Sequence, residues 1–352
     1  MQEHYAGLDV SLELTSVCIV DANGKIVKET KVESHPEALV ALFDDLRLPI
    51  ARIGLEAGPL SQWLHAGLTQ AGFETVLLAA LSAMTVKTDR KDARGIAQLL
   101  RMGWFRPVHP KSVRSQEVRA LLVARKLLQN KLKDVELSIR GILRGFGLKV
   151  GDVTRKKFES RIHQLVAGQA MLERIAEAML YARAGLLIQF NKLDKAVRSI
   201  VRYDKVCQQL MTVPSVGPLT AITYKSAIDD PQRIKKSKAA GPLFGLTPRK
   251  YQSGETDVTG GITRVGDEMV RTALYEAANS LLSPKTRFSA LKRWGLEVAQ
   301  RRGLKRAKVA VARKLAVILH RMWIDGTPFR WSKADGHTDP SRAKTSGSSS
   351  CR

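Results

Sequence analysis

Three segments of strand character open the chain in unbroken succession: "YAGLDVS", "TSVCIVD" and "KIVKETKV", all within residues 5–32. "ANG" joins the last two and is a hairpin signal, so a three-stranded meander is the simplest arrangement. The periodicity then alternates. "SHPEALVALFDDLR" reads as a helix, with Ser34 as its cap and Glu37 three residues on in the reciprocal capping pattern. "ARIGLE" reads as a buried strand, "PLSQWLHAGLTQAG" as a helix opened by Pro59 and closed by Gly72, and "ETVLLA" as another buried strand. A final helix begins inside "KTDRKDARGIAQLL", residues 87–100. This βββαβαβα order makes residues 1–111 an α/β domain with helices packed on a central sheet.

Acids fall at informative places in that order. Asp9 lies on the first strand, Glu56 closes "ARIGLE", and Asp89 and Asp92 share a helical face at the last helix. Each has a structural reading of its own: a turn cap for Asp9, a helix cap for Glu56, and complements to the helix dipole for the two aspartates. Together they mark the first strand, the fourth strand and the final helix, the acid positions of a ribonuclease-H-like nuclease core. Four gathered carboxylates repel one another unless cations neutralise them. Oxygen ligands of this kind suit Mg²⁺ or Mn²⁺, and two such ions about 3.5 to 4 Å apart serve phosphoryl transfer. The interleaved Lys87, Arg90, Lys91 and Arg94 would lessen that repulsion and attract a phosphate.

Residues 112–205 change character. Leu128, Leu132, Val135, Ile139 and Ile142 follow 4-3-4-3 spacing, and Leu172, Ile175, Met179, Ala182, Leu186, Leu193 and Ile200 keep a heptad register beyond "RGFGLKVGD". A long antiparallel helical hairpin and a dimerising coiled coil both satisfy this pattern, as does ordinary bundle packing. A mainly helical third region, 206–331, opens with "VPSVGPLTA", whose small residues at a bend resemble a helix-hairpin-helix element. "PRKYQSGETDVTGGITRVGD" then sets Ser253 in a Gly-flanked loop near Arg249, Lys250 and Arg264, and a serine there could attack a phosphodiester. The tail, 332–352, is polar and reads as disordered.

Charge bounds the partners. The formal net charge of +25 on 352 residues exceeds what solubility needs and points to a polyanion, nucleic acid above all. Residues 285–314 alone hold eleven Lys or Arg against one acid, Glu297. Candidate nucleic-acid contacts are Arg249, Lys250, Arg264, Arg271, Lys292, Arg293, Arg301, Arg302, Lys305, Arg306 and Lys308. The three cysteines show no metal or disulfide spacing, and no apolar run would cross a bilayer, so a soluble cytoplasmic protein is expected. None of the seven histidines sits in a ligand pattern, and Trp294 lies inside the basic stretch, although core roles are the default for the tryptophans.

In "GLDVS", "LEAGPLSQWL", "KTDRKDARGIAQLL", "VPSVGPLTA", "GLTPRKYQSGE" and "GGITRVGDEMVRTALYEAA", in that order, the chain resembles the DEDD transposases of the insertion-sequence-110 family. The resemblance implies a RuvC-like domain, a helical linker and a transposase domain bearing a serine. By position it assigns the four acids to Asp9, Glu56, Asp89 and Asp92 and the serine to Ser253. It implies a bacterial homodimer or homotetramer that exchanges strands of donor and target DNA at a composite site, with one subunit's acids meeting another's serine. A noncoding guide RNA paired to both DNAs is implied as a further partner. Compared with the family, "ETVLLAALSAMTVKTDRKD" lacks a longer basic segment ahead of Asp89. A junction endonuclease of RuvC type needs the acids without the serine, and an inactive transposon relic needs neither.

Overall fold

The computed structural model describes residues 3–79, 89–254 and 256–331, with only the backbone described for Asp89 and Arg90. The connection before Asp89 and the tail from 332 therefore lie outside the described residues. Two compact units result, Met1–Ser112 and Val113–Arg352.

The first unit is mixed α/β. Its elements are β1 (His4–Val10), β2 (Leu14–Asp21), β3 (Ile26–Glu33), α1 (Pro36–Leu46), β4 (Ile50–Glu56), α2 (Ser61–Gln70), β5 (Thr75–Leu78), α3 (Asp89–Met102) and β6 (Pro107–Val108). The sheet order is β3-β2-β1-β4-β5-β6, with β1 antiparallel to β2 but parallel to β4, and β4 parallel to β5. Antiparallel β6, at two residues, is too short to show a periodicity in the sequence. The "ANG" turn forms as read, with the Asp21 carboxylate accepting from the Asn23 and Lys25 amides at 2.9 Å each.

Both faces of the sheet are covered. Ala6, Leu8, Ile53 and Leu55 pack with Leu39 and Phe43 of α1 and Leu64 and Leu68 of α2. Tyr5, Cys18, Val20 and Leu78 pack against Ala93, Ile96, Ala97 and Leu100 of α3 on the other face. β2 is thus enclosed on both sides from Thr15 to Val20, which explains its near-continuous apolar run.

α3 sits unusually low on the sheet because Gly7 has no side chain. A Cβ on Gly7 would overlap the Ala93 carbonyl oxygen and the Ala97 amide nitrogen, and one on Gly54 would meet Leu100 at 2.6 Å. Two polar links fix the helix along β2 and β3. Arg94 pairs with Glu29, its Nη2 at 2.8 Å from Oε2, and Gln98 Nε2 donates to the Gly24 carbonyl at 2.7 Å. These links set α3 antiparallel to β1, its C-terminal half toward the β2–β3 turn and its first turn toward the end of β1 that holds Asp9.

Two local expectations are corrected. Ser34 does not cap α1: its Oγ donates to the Ser11 carbonyl at 2.7 Å and lies 2.8 Å from Thr15 Oγ1, leaving His35 as a cap residue without a side-chain bond. Arg94 does not attend the acids, because its guanidinium is engaged by Glu29.

The second unit is mainly helical: α4 (Val113–Gly145), α5 (Phe158–Val166), α6 (Ala170–Tyr203), α7 (Lys205–Leu210), α8 (Pro218–Ile228), α9 (Ala240–Leu243), α10 (Glu268–Leu281), α11 (Ala290–Arg302) and α12 (Leu304–Asp325), with a hairpin of β7 (Pro248–Ser253) and β8 (Thr256–Ile262). α4 and α6 pair along their length within the chain. Their buried columns are Leu132, Ile139 and Leu143 on α4, and Leu172, Ala176, Leu180, Phe190, Val197 and Val201 on α6. The α6 column is rotated from the expected heptad positions because α5 packs Phe158, Ile162 and Val166 into the same cluster. Arg183, 3% exposed, pairs with Glu136 at 2.8 Å and stacks on Phe158, and Arg125 bonds Asp194 at 2.7 Å. The main core joins Val118, Leu122, Val197 and Val201 of this pair to α8, α10 and α12, so residues 113–205 and 206–331 share one core. Burial favours the neutral form of Asp204 at the α6–α7 junction, but Lys225 and the Cys207 amide more than offset it, and its carboxyl lies below the usual carboxylate range.

Replacing Gly7 with alanine is expected to lift α3 from β1. Chemical denaturation of Gly7→Ala is expected to show a loss of about 1–3 kcal/mol or more, the range for overpacking a close contact. Gly72→Ala, where no atom lies within 4 Å, provides the comparison for a glycine with a positive φ and no packing neighbour.

Candidate active site and nucleic-acid surface

Asp9 and Glu56 meet at the carboxyl ends of neighbouring parallel strands. The register Tyr5↔Arg52, Gly7↔Gly54 and Leu8↔Leu55 brings the two acids side by side on the α3 face. They line one cleft of about 260 Å³ with Ser11, Gly58 and Leu60. The carboxyl edge of parallel strands is the usual ligand position in open α/β sheets. Loop 57–60 is held there by the Ala57 amide donating to Leu78 at 2.9 Å and by Ser61 Oγ, which accepts from the Gly58 amide at 2.9 Å.

Asp92 belongs to the first turn of α3, next to the Ala93 that rests on Gly7, and is 8% exposed. The Asp89 side chain lies outside the described residues. Among the described residues, no group of three or more His, Cys, Asp or Glu is close enough to hold a metal ion. The donor chemistry at this edge is nevertheless all carboxylate, which fits a hard divalent cation.

Ser253 is the last residue of β7, paired with Thr256, and not part of an irregular loop. Gly254 follows it at φ +56°, the left-handed backbone a two-residue hairpin turn requires. Every described residue of the hairpin except Ile262 is exposed, including Tyr251 and Val258 at 65% and 57%. Among the described residues, the hairpin is anchored at its base. There Arg271 Nη1 donates to the Phe244 and Val265 carbonyls at 3.1 and 3.2 Å, and a Cβ on Gly266 would overlap the Leu243 carbonyl oxygen.

The basic candidates divide by environment. Arg293, Arg301, Arg302, Lys305 and Arg306 are exposed, the last four flanking Gly303 between α11 and α12. Arg249 and Arg264 are exposed at the hairpin base, and Lys250 pairs with Asp257 across the hairpin at 3.3 Å. Lys308 reaches toward the Tyr275 ring, 6.0 Å from its centroid. Lys292 is a correction. It is 6% exposed, and its Nζ donates to the Ser283 and Thr286 carbonyls at 2.7 Å each, so it closes the loop before α11. Arg271, the hairpin clamp, is likewise structural. Its role depends on the Phe244 carbonyl 27 residues away as well as on that of Val265, a pairing that no local pattern reveals.

Residues 6–147 match the family model described as "Transposase", and residues 207–293 match "Transposase IS116/IS110/IS902 family". The chain belongs to the IS110 family of transposases. Similar proteins include the transposase for insertion sequence element IS1111A of Coxiella burnetii, 26% identical over 324 residues that cover 89% of this chain and 87% of that one. A protein of Pseudomonas aeruginosa named as a probable family 20 transposase is 24% identical over 92% of this chain and 98% of its own. The chain is a DNA transposase, and its family domain suggests use of a divalent metal. No described helix of the transposase is long and apolar enough to cross a membrane.

Lys292→Met is expected to cost about 1–3 kcal/mol in urea unfolding through two unsatisfied carbonyls. Arg301→Ala with Arg302→Ala is expected to leave the unfolding midpoint in place. It should flatten the salt dependence of DNA affinity by ~0.9 in log–log slope for each phosphate that the two arginines neutralise.

Proposed function

We propose that the transposase cuts and rejoins donor and target DNA by divalent-metal-dependent transesterification, with Ser253 as nucleophile and a noncoding RNA as guide. The observation that carries this reading is the carboxylate pair Asp9 and Glu56 at the strand edge that the first turn of α3 approaches. The strand order 3-2-1-4-5, with parallel β1, β4 and β5, supports a ribonuclease-H-like, RuvC-like domain over residues 1–111. We assign residues 112–205 to a helical linker and residues 206–331 to the serine-bearing transposase domain.

Asp9, Glu56, Asp89 and Asp92 would hold Mg²⁺ or Mn²⁺. The ions would supply charge neutralisation for the phosphate and activate the attacking oxygen. Ser253 Oγ forms an ester with a DNA phosphorus while the bond to a sugar oxygen breaks and that oxygen takes up a proton. Attack by a sugar hydroxyl of the second DNA then releases the serine and restores a phosphodiester. An exposed hairpin held at its base suits presentation of the serine to another subunit's acids in a homodimer or homotetramer. RNA guidance rests on the motif resemblance and on a charge of +25, ample for RNA beside two duplexes.

Ser253→Ala is expected to retain DNA binding and lose strand exchange in a two-plasmid assay. Recombination at the wild-type level would remove Ser253 from the mechanism. Metal-dependent cleavage without a trappable protein–DNA adduct would instead favour a junction endonuclease. Sequencing RNA that copurifies with the protein tests guidance separately.

A further inference from the structure

The second unit holds a recess of about 700 Å³ that strand-exchange chemistry does not use. Its lining includes Arg293, Trp294 and Glu297 of α11, Lys314 of α12, and Phe329 and Arg330 just beyond α12. The Lys314 ammonium lies 3.9 Å from the centre of the Trp294 ring, and the Phe329 amide is tied to Thr212 Oγ1 at 2.9 Å. Arg287 stacks on Trp331 at 4.3 Å, and Trp331 meets Phe329 edge-on at 5.5 Å. Burial lowers the pKa of Lys314, so an anion arriving here would meet a cation already partly stripped of water.

This combination selects among polyanions. Apolar rings beside three cations and a single carboxylate, Glu297, within the roughly 300–1,000 Å³ of small-ligand sites, suit a base with its phosphate. Arg293, Glu297 and Arg301 follow at successive four-residue steps, so the helical face that lines the recess leads to the exposed basic end of α11. A fully paired duplex keeps its bases stacked and has none to place in such a recess.

We propose that the recess binds one unpaired nucleotide of a nucleic-acid strand whose backbone follows α11. The base packs against Trp294 and Phe329, and its phosphate pairs with Arg293, Lys314 and Arg330. The inference rests on the nucleic-acid reading of this unit.

The test uses the full chain with a perfect DNA duplex, the same duplex bearing one bulged 2-aminopurine, and an RNA duplex with the same bulge. The bulged probe is expected to bind roughly tenfold tighter than the perfect duplex, the effect of one stacked base, with quenched 2-aminopurine emission. The better of the DNA and RNA bulges identifies the source of the nucleotide. Phe329→Ala, and separately Lys314→Gln, should abolish the preference and the quenching while perfect-duplex affinity stays within about threefold, the effect of neutralising at most one phosphate fewer. Equal affinity for bulged and perfect duplexes overturns the proposal but leaves the nucleic-acid reading standing, and so does quenching that survives both variants. Displacement of the bulged probe by a polyglutamate peptide at matched charge overturns it in favour of an acidic protein partner. Failure to bind any of the three probes overturns both.

Discussion

The approach of α3 to β1 through Gly7 is the contact on which the candidate active site depends. A helix packed on a sheet through ordinary side chains stands off by the length of those side chains. Here Ala93 and Ala97 rest on bare backbone, and Gly54 admits Leu100 in the same way. The low seat brings the start of α3 within the neighbourhood of strand ends instead of above them. Arg94–Glu29 and Gln98–Gly24 then fix its direction, so that its first turn, which carries Asp92, points toward the end of β1 that holds Asp9.

A different balance holds the second unit. Its long helices use buried charge as well as apolar columns: Arg183 with Glu136, Arg125 with Asp194, and Lys225 with Asp204. Each pair combines an ionic contact with hydrogen bonds, and Arg183 and Arg125 also stack on Phe158 and Phe190. Removing Glu136 would leave the Arg183 guanidinium buried without its carboxylate, which is far costlier than the pair is worth in isolation, whereas Asp194 keeps a second partner in Arg198 at 2.7 Å. Such seams specify helix register, while the packed clusters of Leu, Val and Ala supply most of the burial.

Rigid core and exposed hairpin serve opposite ends. An isolated two-stranded hairpin is marginal in water, and this one has almost no buried face. Its base is nevertheless held by Arg271 and by close backbone packing at Gly245 and Gly266. Ser253 therefore sits exposed at the end of a stem whose base is held, as the nucleophile proposed above would need.

Much of this was legible in the sequence. The alternating period of residues 5–100 predicts the βββαβαβα order, "ANG" predicts its hairpin, and Asp9 and Glu56 stand out because acids rarely close buried strands. What the local pattern could not show was longer in range. Ser34 looks like a cap yet bonds Ser11 and Thr15, because the turn before β2 supplies a better partner. Lys292 belongs to a basic run yet is enclosed by carbonyls of its own loop. Composition and periodicity determine which residues can be strand, helix or cation. Only the tertiary structure decides which cations face water, which glycines let backbone meet backbone, and which acids share an edge, since each depends on contacts that residue type and local spacing do not encode.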